Sequence, residues 1–157
     1  MKKKRVMFIS STGGHLSELL ELSKLFEKYE TSLITEKTPS NIGLKEKYKH
    51  VNYLIYGTKD HKLIYPFKLL INCFLSLFYY IKYRPKCIIT TGAHTAGPMC
   101  YIGKIFRSKI VFIETMANSS TKTITGKLVY PIADLFIVQW KEMLKLYPKA
   151  VYWGWIK

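Results

Sequence analysis

Three short loops contain the residue types that could bind an anionic or sugar ligand. They are Ser10–His15 (SSTGGH), Thr90–Pro98 (TTGAHTAGP) and Glu114–Ser120 (ETMANSS). Glycines let backbone N–H groups approach a ligand closely, and a helix N-terminus after such a loop favours negative charge. The histidine in each of the first two loops could exchange a proton near neutral pH. The loops therefore predict a site for a phosphate or a sugar, and tight turns that only cap helices are the simpler alternative.

The candidate substrate-binding residues are the small, polar or titratable members of these loops: Thr12, Gly13, Gly14, Gly92, His94, Thr95, Glu114, Asn118 and Ser119. Glu114 ends an apolar strand, where an unpaired carboxylate would be costly. An acceptor for loop N–H groups is therefore favoured over a catalytic acid at this position. For His94, simple exposure to solvent is the alternative to ligand binding. His15 begins a helix and lies one turn before Glu18.

The sequence lacks the motifs that are typical of dinucleotide binding and of metal binding. The first loop has no GxGxxG pattern, which disfavours a nicotinamide or flavin enzyme, although Glu36 lies near the position of a ribose-binding acid. The aspartates, Asp60 and Asp134, form no DxD motif, and the histidines show no HxH or HExxH spacing. The four histidines are His15, His50, His61 and His94. We expect no metal ion and no cofactor, and we expect Asp134 to cap the start of a strand at the far edge of the sheet.

Alternating strands and helices must position the three loops. Short strands that are apolar on both faces are typical of a parallel sheet covered on both sides. The predicted strands are Arg5–Ser10, Thr31–Glu36, Val51–Tyr56, Cys87–Thr91, Lys109–Glu114 and Asp134–Trp140, with Val151–Trp153 as a candidate edge strand. The predicted helices are Leu16–Tyr29, Pro66–Tyr83, Thr95–Phe106, Thr123–Tyr130 and Glu142–Tyr147. This alternation predicts an α/β fold, a single Rossmann-like doubly wound sheet that is mainly parallel, with ligands at the strands' carboxyl ends.

Length and charge narrow the class of protein further. The 157 residues suit one domain over 1–157, and 25 Lys and Arg against 10 Asp and Glu give a net charge of +15. Such a charge attracts an anionic membrane surface, a phosphorylated substrate or nucleic acid. No nucleic-acid-binding motif is present, so no nucleic acid partner is expected. Cys73, Cys87 and Cys100 form no CxxC pair, which favours a reducing compartment, and the basic start followed by a short apolar strand predicts a protein that is not exported.

An apolar segment over about 63–83 has two interpretations. Its centre, Leu69–Ile81, contains no charged residue and is flanked by lysines and an arginine, but it is too short for a transmembrane helix. It could be a buried crossover helix, or it could lie on a membrane surface with its apolar face. The candidate membrane-contacting residues are Leu69, Leu70, Phe74, Leu77, Phe78 and Tyr79.

The motifs, taken in order along the chain, resemble one known family. The chain is similar to the Alg14 family, which includes bacterial polysaccharide-biosynthesis proteins that act as glycosyltransferase enhancer subunits of the CpsF/EpsE/PssD type. The matching segments are Ser11–Leu16, Thr90–Gly97, Ile113–Ala117, Gly126–Pro131, Phe136–Trp140 and Tyr147–Pro148. Each motif alone is weak, whereas their order and spacing over nearly the whole chain are specific.

The resemblance implies one half of a GT-B (MurG-like) glycosyltransferase, namely the acceptor-side Rossmann domain. An Alg13-like chain would supply the domain that holds most of the UDP-sugar donor, and the acceptor would be a saccharide linked to a lipid diphosphate. The product would be a capsule or exopolysaccharide repeat unit, made at the cytoplasmic face of the cell membrane. Eukaryotic members carry an N-terminal transmembrane helix, where this sequence predicts a strand, so we expect its apolar segment and basic surface to provide peripheral membrane contact.

The resemblance also suggests a catalytic residue. The related transferase MurG has a glycine-rich loop that ends in histidine, which makes Gly13 and Gly14 candidates for diphosphate contact and His15 the candidate general base of an inverting transfer. Two other functions stay open: a pure membrane scaffold for the catalytic partner, and a stand-alone nucleotide-binding enzyme. The aromatic segment Tyr152–Trp155 is either a surface for docking the partner or simple packing of the last strand.

Overall fold

A seven-stranded sheet, parallel throughout, forms the centre of the computed structural model, which describes residues 3–57 and 64–156. Its strands are β1 (Arg5–Ile9), β2 (Glu30–Glu36), β3 (Val51–Leu54), β4 (Cys87–Thr90), β5 (Lys109–Ile113), β6 (Leu135–Val138) and β7 (Val151–Tyr152). They lie in the order β3-β2-β1-β4-β5-β6-β7. The predicted doubly wound α/β fold is confirmed. The direction in which successive strands are added to the sheet reverses between β1 and β4, which makes this position the switch point of the sheet.

The alternation of side chains along β1 supplies two separate cores. Met7 and Ile9 point to one face of the sheet, and Val6 and Phe8 point to the other. Both faces of this strand are buried because helices cover both sides, as a parallel sheet requires. The first core packs under α3 (Tyr65–Tyr83), α4 (Ala96–Ile105) and α5 (Ile124–Val129), and the second under α1 (Gly14–Glu21), α2 (Leu44–Lys47) and the 3₁₀ helix Leu22–Glu27.

Several predicted helices differ from the observed ones. The predicted helix Leu16–Tyr29 is wrong as a single element, because α1 ends at Glu21 and the chain continues as the 3₁₀ helix. Apolar residues spaced three or four apart fit either helix type, so the sequence pattern did not separate them. The predicted helix Glu142–Tyr147 is likewise a 3₁₀ helix, Lys141–Lys145, and the short α2 was not predicted.

The buried residues of the α3 helix are polar or aromatic, whereas most of its exposed residues are apolar. Its buried residues are Asn72, Ser76 and Tyr80, which lie on one helical face. Asn72 accepts a hydrogen bond from the Ile55 amide and donates one to the Ile55 carbonyl, both at 2.8 Å, and so satisfies the backbone beyond β3. Pro66 lies in the first turn of the helix, where its missing N–H costs nothing. Asp60, His61 and Leu63 lie outside the described residues.

The prediction for Asp134 is wrong in two respects. It lies next to β6, which is not an edge strand because β7 pairs beside it, and its carboxylate accepts the Ile110 amide of β5 at 2.9 Å. Lys109 and Lys104 also donate to it, at 2.9 and 3.2 Å. Desolvation alone would raise the pKa of Asp134, but the Ile110 amide and the two lysines outweigh it and lower the pKa to about 2. Asp134 therefore joins β5 to β6 rather than capping its own strand.

Candidate functional site

A cleft opens at the carboxyl ends of β1, β4 and β5, beside the switch point between β1 and β4. Parallel α/β sheets bind their ligands at such a position. The cleft has a volume of about 410 Å³. It is lined by His15, Tyr65, Thr91, Gly92, Ala93, His94, Phe112, Glu114, Lys122, Thr123, Ile124 and Thr125. The structure thus brings together predicted residues from all three loops: His15, Gly92, His94 and Glu114.

The position of the proton on His15 follows from its hydrogen bond. Its Nδ1 lies 2.7 Å from the carbonyl oxygen of Thr91, and the Thr91 hydroxyl donates back to the His15 carbonyl at 2.6 Å. A carbonyl oxygen only accepts, so Nδ1 carries the proton. In the neutral ring, Nε2 is then the nitrogen with a free lone pair. The loop after β4 therefore holds His15 in the tautomer that a general base needs.

Gly92 gives the second loop its backbone turn beside His15. Its φ of +92° lies in a region that residues with a side chain rarely adopt, and this conformation is what favours glycine here. A Cβ at this position would make an ordinary van der Waals contact of 3.5 Å with Cε1 of the His15 ring. The Gly92 carbonyl accepts the Ser11 amide at 3.2 Å, which joins the first and second loops directly.

Glu36, at the end of β2, accepts hydrogen bonds from both the first and the second loop and so connects them. It is almost fully buried and accepts the Thr12 amide at 3.3 Å and the Thr95 hydroxyl at 3.0 Å. His94 Nε2 lies 3.3 Å from its Oε1, an ion-pair contact without the alignment of a hydrogen bond. Desolvation raises the pKa of Glu36, but the His94, Thr12 and Thr95 contacts outweigh it, so the pKa lies below its ordinary value. The sequence indicated this residue only as a ribose-binding acid that the loop pattern disfavoured.

Glu18 provides a similar link from α1 to the third loop. Its Oε1 accepts the Thr115 hydroxyl at 3.0 Å and the Met116 amide at 2.8 Å. The Met116 carbonyl accepts the indole N–H of Trp140 at 2.7 Å. Met116 of the third loop is therefore held through its amide by Glu18 and through its carbonyl by Trp140. The sequence showed only that Glu18 lies one turn after His15.

Glu114 is a buried acceptor, although its partners are hydroxyls instead of the expected loop N–H groups. Thr123 and Tyr147 each donate to one of its oxygens at 2.7 Å. Burial and this carboxylate raise the pKa of Tyr147. Gly126 packs directly against the pair, because a Cβ there would collide with Glu114 Oε2 and would lie 2.6 Å from the Tyr147 hydroxyl oxygen. This explains the glycine near the start of α5.

Other predicted residues lie apart from the cleft. Thr12 contacts Thr38 at 3.3 Å on the β2 side, and Gly13 and Gly14 are exposed in the turn that begins α1. Asn118 accepts the Thr121 hydroxyl, and Ser119 lines a separate groove of about 530 Å³ beside Trp140. Lys122 and Thr125 line the cleft but were not predicted, because no motif marks them. Within residues 3–57 and 64–156, no group of three His, Cys, Asp or Glu side chains could hold a metal ion.

Comparison with known proteins decides the family. The family model for "Oligosaccharide biosynthesis protein Alg14 like" matches residues 58–156. The chain belongs to the Alg14 family. A Kluyveromyces lactis protein named UDP-N-acetylglucosamine transferase subunit ALG14 is 29% identical over 97% of this chain and 78% of its own length. The human protein of the same name is 25% identical over 95% of this chain and 81% of its own length.

Solved structures agree on the fold of this Alg14-family chain. Acinetobacter baumannii MurG superposes with a TM-score of 0.68 at 19% identity, covering 88% of this chain and 42% of MurG. A UDP-GlcNAc 2-epimerase from Methanocaldococcus jannaschii gives 0.69 at 12% identity, covering 94% and 45%. The chain thus spans less than half the length of these solved chains. The likeness shows the fold, a Rossmann-like domain of the MurG-like GT-B type.

Proposed function

We propose that this chain is the acceptor-side subunit of a split, inverting glycosyltransferase. An Alg13-like chain binds the UDP-sugar, and the pair transfers its sugar to a lipid-diphosphate-linked saccharide in capsule or exopolysaccharide synthesis, as in the CpsF/EpsE/PssD type. The observation that carries the proposal is the position of His15, in an open cleft at the switch point of a single Rossmann domain. Relatives named as transferase subunits support it, as does the fit of this chain to less than half of MurG.

In this mechanism His15 accepts a proton through Nε2. The acceptor hydroxyl attacks the anomeric carbon of the UDP-sugar, a new C–O bond forms, and the bond to the UDP oxygen breaks. The hydroxyl proton passes to His15 while UDP leaves with the bonding electrons. A single displacement inverts the anomeric centre. The Thr91 carbonyl keeps the imidazole oriented during the transfer, and this orientation is a large part of what a positioned base contributes.

The decisive experiment compares the chain alone with the chain plus its partner. We expect the purified chain to transfer no sugar from UDP-sugars, and we expect activity when the chain that co-purifies with it in the native host is added. The cleft supports this dependence because it is open, with Ile124 at its rim 65% exposed. Unaided transfer by this chain would instead establish a stand-alone enzyme.

The partner would dock at the C-terminal aromatic segment Tyr152–Trp155. Trp153 is 67% exposed, and the Trp155 ring lies 5.0 Å from the ring of Trp140. Exposed aromatic side chains are common anchors in protein interfaces. Trp140 also holds Met116 of the third loop, and Glu114 at the start of that loop lines the cleft, so the third loop connects this surface to the cleft.

The proposed location is the cytoplasmic face of the cell membrane, with peripheral contact. The neighbouring helices α3, α4 and α5 share one pattern. Each has a small residue that faces the interior, with exposed apolar side chains two positions before and two positions after it. These small residues are Ser76, Gly103 and Gly126. The exposed apolar residues of these helices are Phe67, Leu70, Ile71, Phe74, Phe78, Ile81, Tyr101, Ile105, Ile124 and Leu128. Leu69, Leu77 and Tyr79 are half-buried, and Tyr79 donates to the Tyr53 carbonyl. No helix among the described residues is long and apolar enough to cross a bilayer.

The membrane proposal predicts a loss of vesicle binding in Phe74→Glu. Phe74 is 66% exposed on the outward face of α3. Removing its insertion and adding a negative charge should weaken binding to vesicles containing anionic lipid by about 10-fold or more in a sedimentation assay. The matched control is Ile42→Glu, which adds the same charge at a 51% exposed apolar residue outside this helical face. Equal binding of the two variants would contradict membrane contact through α3.

A further inference from the structure

A lysine in the cleft has no assigned role. Lys122 precedes α5, is half-buried, and lines the same cavity as His15 and His94. Its Nζ lies over the Tyr147 ring, 5.0 Å from the centroid. Among the described residues that line the cavity, it is the one Lys or Arg side chain. A cation–π contact of this kind restrains the ammonium group without neutralising it.

No carboxylate of the described residues lies within the 4.0 Å of an ion pair from this ammonium group. Glu114 is the acid that lines the cavity, and its hydrogen bonds are with the hydroxyls of Thr123 and Tyr147 instead of with Lys122. The ion pairs of the described residues involve His94, Lys104 and Lys109, and none of them includes Lys122. A partly desolvated ammonium group without a direct ion-pair partner favours an anionic ligand.

We propose that Lys122 binds the diphosphate of a substrate held beside His15. The proposal rests on the proposed function, in which the lipid-linked acceptor and the UDP-sugar both carry a diphosphate. Thr123 holds Lys122 at a fixed place, because its hydroxyl donates to Glu114 and also accepts the Gly126 amide at 2.9 Å, which caps α5. The Tyr147 hydroxyl donates to the same carboxylate, and the Tyr147 ring lies under the ammonium group. The positive charge is thus positioned before a ligand arrives.

The first test measures binding of inorganic pyrophosphate to the chain alone, by calorimetry, so it does not depend on sugar transfer. Lys122→Met keeps the length of the apolar stem and removes the charge. We expect it to weaken pyrophosphate binding by about 10-fold or more, which is the usual size of a charge-assisted contact. Lys122→Arg should bind within a few-fold of the unmodified chain. The matched control is Lys127→Met, an exposed lysine on α5, which should bind pyrophosphate as the unmodified chain does.

The second test uses the reconstituted pair. In Lys122→Met, a raised KM for the lipid acceptor alone assigns the site to the acceptor diphosphate, and a raised KM for the UDP-sugar alone assigns it to the donor. Pyrophosphate binding that is equal in Lys122→Met, Lys127→Met and the unmodified chain would overturn the proposal. If Lys122→Met weakens pyrophosphate binding as expected but the pair formed with the unmodified chain transfers no sugar, the transferase function is refuted and the anion site is retained.

Discussion

Replacing His15 with alanine is expected to lower turnover of the reconstituted pair by about 100-fold or more, the usual contribution of a positioned general base. The hydrogen bond from Nδ1 to the Thr91 carbonyl leaves Nε2 as the acceptor, and alanine offers no acceptor there. Because the imidazole acts on the attacking hydroxyl, the loss should appear in kcat more than in the KM for the UDP-sugar. Initial rates at saturating concentrations of both substrates measure it.

A matched histidine change tests whether the effect belongs to the cleft. His50 lies at the opposite end of the sheet and has a φ of +55°, which asparagine tolerates, so His50→Asn should leave turnover unchanged. Co-purification of the partner with the His15→Ala chain confirms that the assembly is intact. Full turnover in His15→Ala would establish the chain as a membrane scaffold whose partner performs the chemistry alone.

The strands could be predicted from the sequence because their burial follows a simple rule. Segments such as Val6–Ile9 are apolar at consecutive positions, and in a parallel sheet both faces of such a segment are buried. The carboxyl ends of parallel strands share one edge of the sheet, so the loops after β1, β4 and β5 were expected at the same edge. The strand order, which makes β1, β4 and β5 direct neighbours, could not be read from the sequence, because right-handed crossovers allow more than one order.

Helical detail was harder to predict because side-chain pattern does not fix backbone hydrogen bonding. The change from α1 to a 3₁₀ helix at Leu22 leaves the apolar spacing almost unchanged. The α3 helix shows a second limit. Its inward polar residue, Asn72, binds the Ile55 backbone, so burial there follows hydrogen bonding instead of hydrophobicity. The apolar composition of the segment indicated an apolar helix, but it did not show which face of the helix is exposed to solvent.

The supports of the site were beyond sequence reasoning because they are long-range contacts. Glu36 and Thr95 are 59 positions apart, and Glu18 and Met116 are 98 positions apart. Neither pair belongs to a local motif. The predicted site residues His15, Gly92 and His94 lie in recognisable glycine turns, whereas Glu36 and Glu18, whose hydrogen bonds hold these loops and the third one, stand alone at a strand end and on a helix.

Removing one of these supports should destabilise the fold. In Glu36→Ala, the Thr12 amide and the buried Thr95 hydroxyl lose their acceptor, and His94 Nε2 loses its contact with the carboxylate. We expect the free energy of unfolding to fall by about 3 kcal/mol, as when one partner of a buried polar network is removed. Urea denaturation followed by circular dichroism measures this change. The control Glu46→Ala alters an exposed acid and should stay within about 0.5 kcal/mol of the unmodified chain.

The contribution of the Glu36 charge should also depend on pH. The pKa of Glu36 in the fold lies below its ordinary value of 4.5, so the charged carboxylate stabilises the fold above about that pH. This stabilisation is lost as the pH falls through the folded-state pKa. The unmodified chain should therefore exceed Glu36→Gln in free energy of unfolding at pH 7, and the difference should shrink below about pH 4.5. A difference that stays constant over this range would mean that the carboxylate acts by shape alone, and that its charge does not hold the first two loops together.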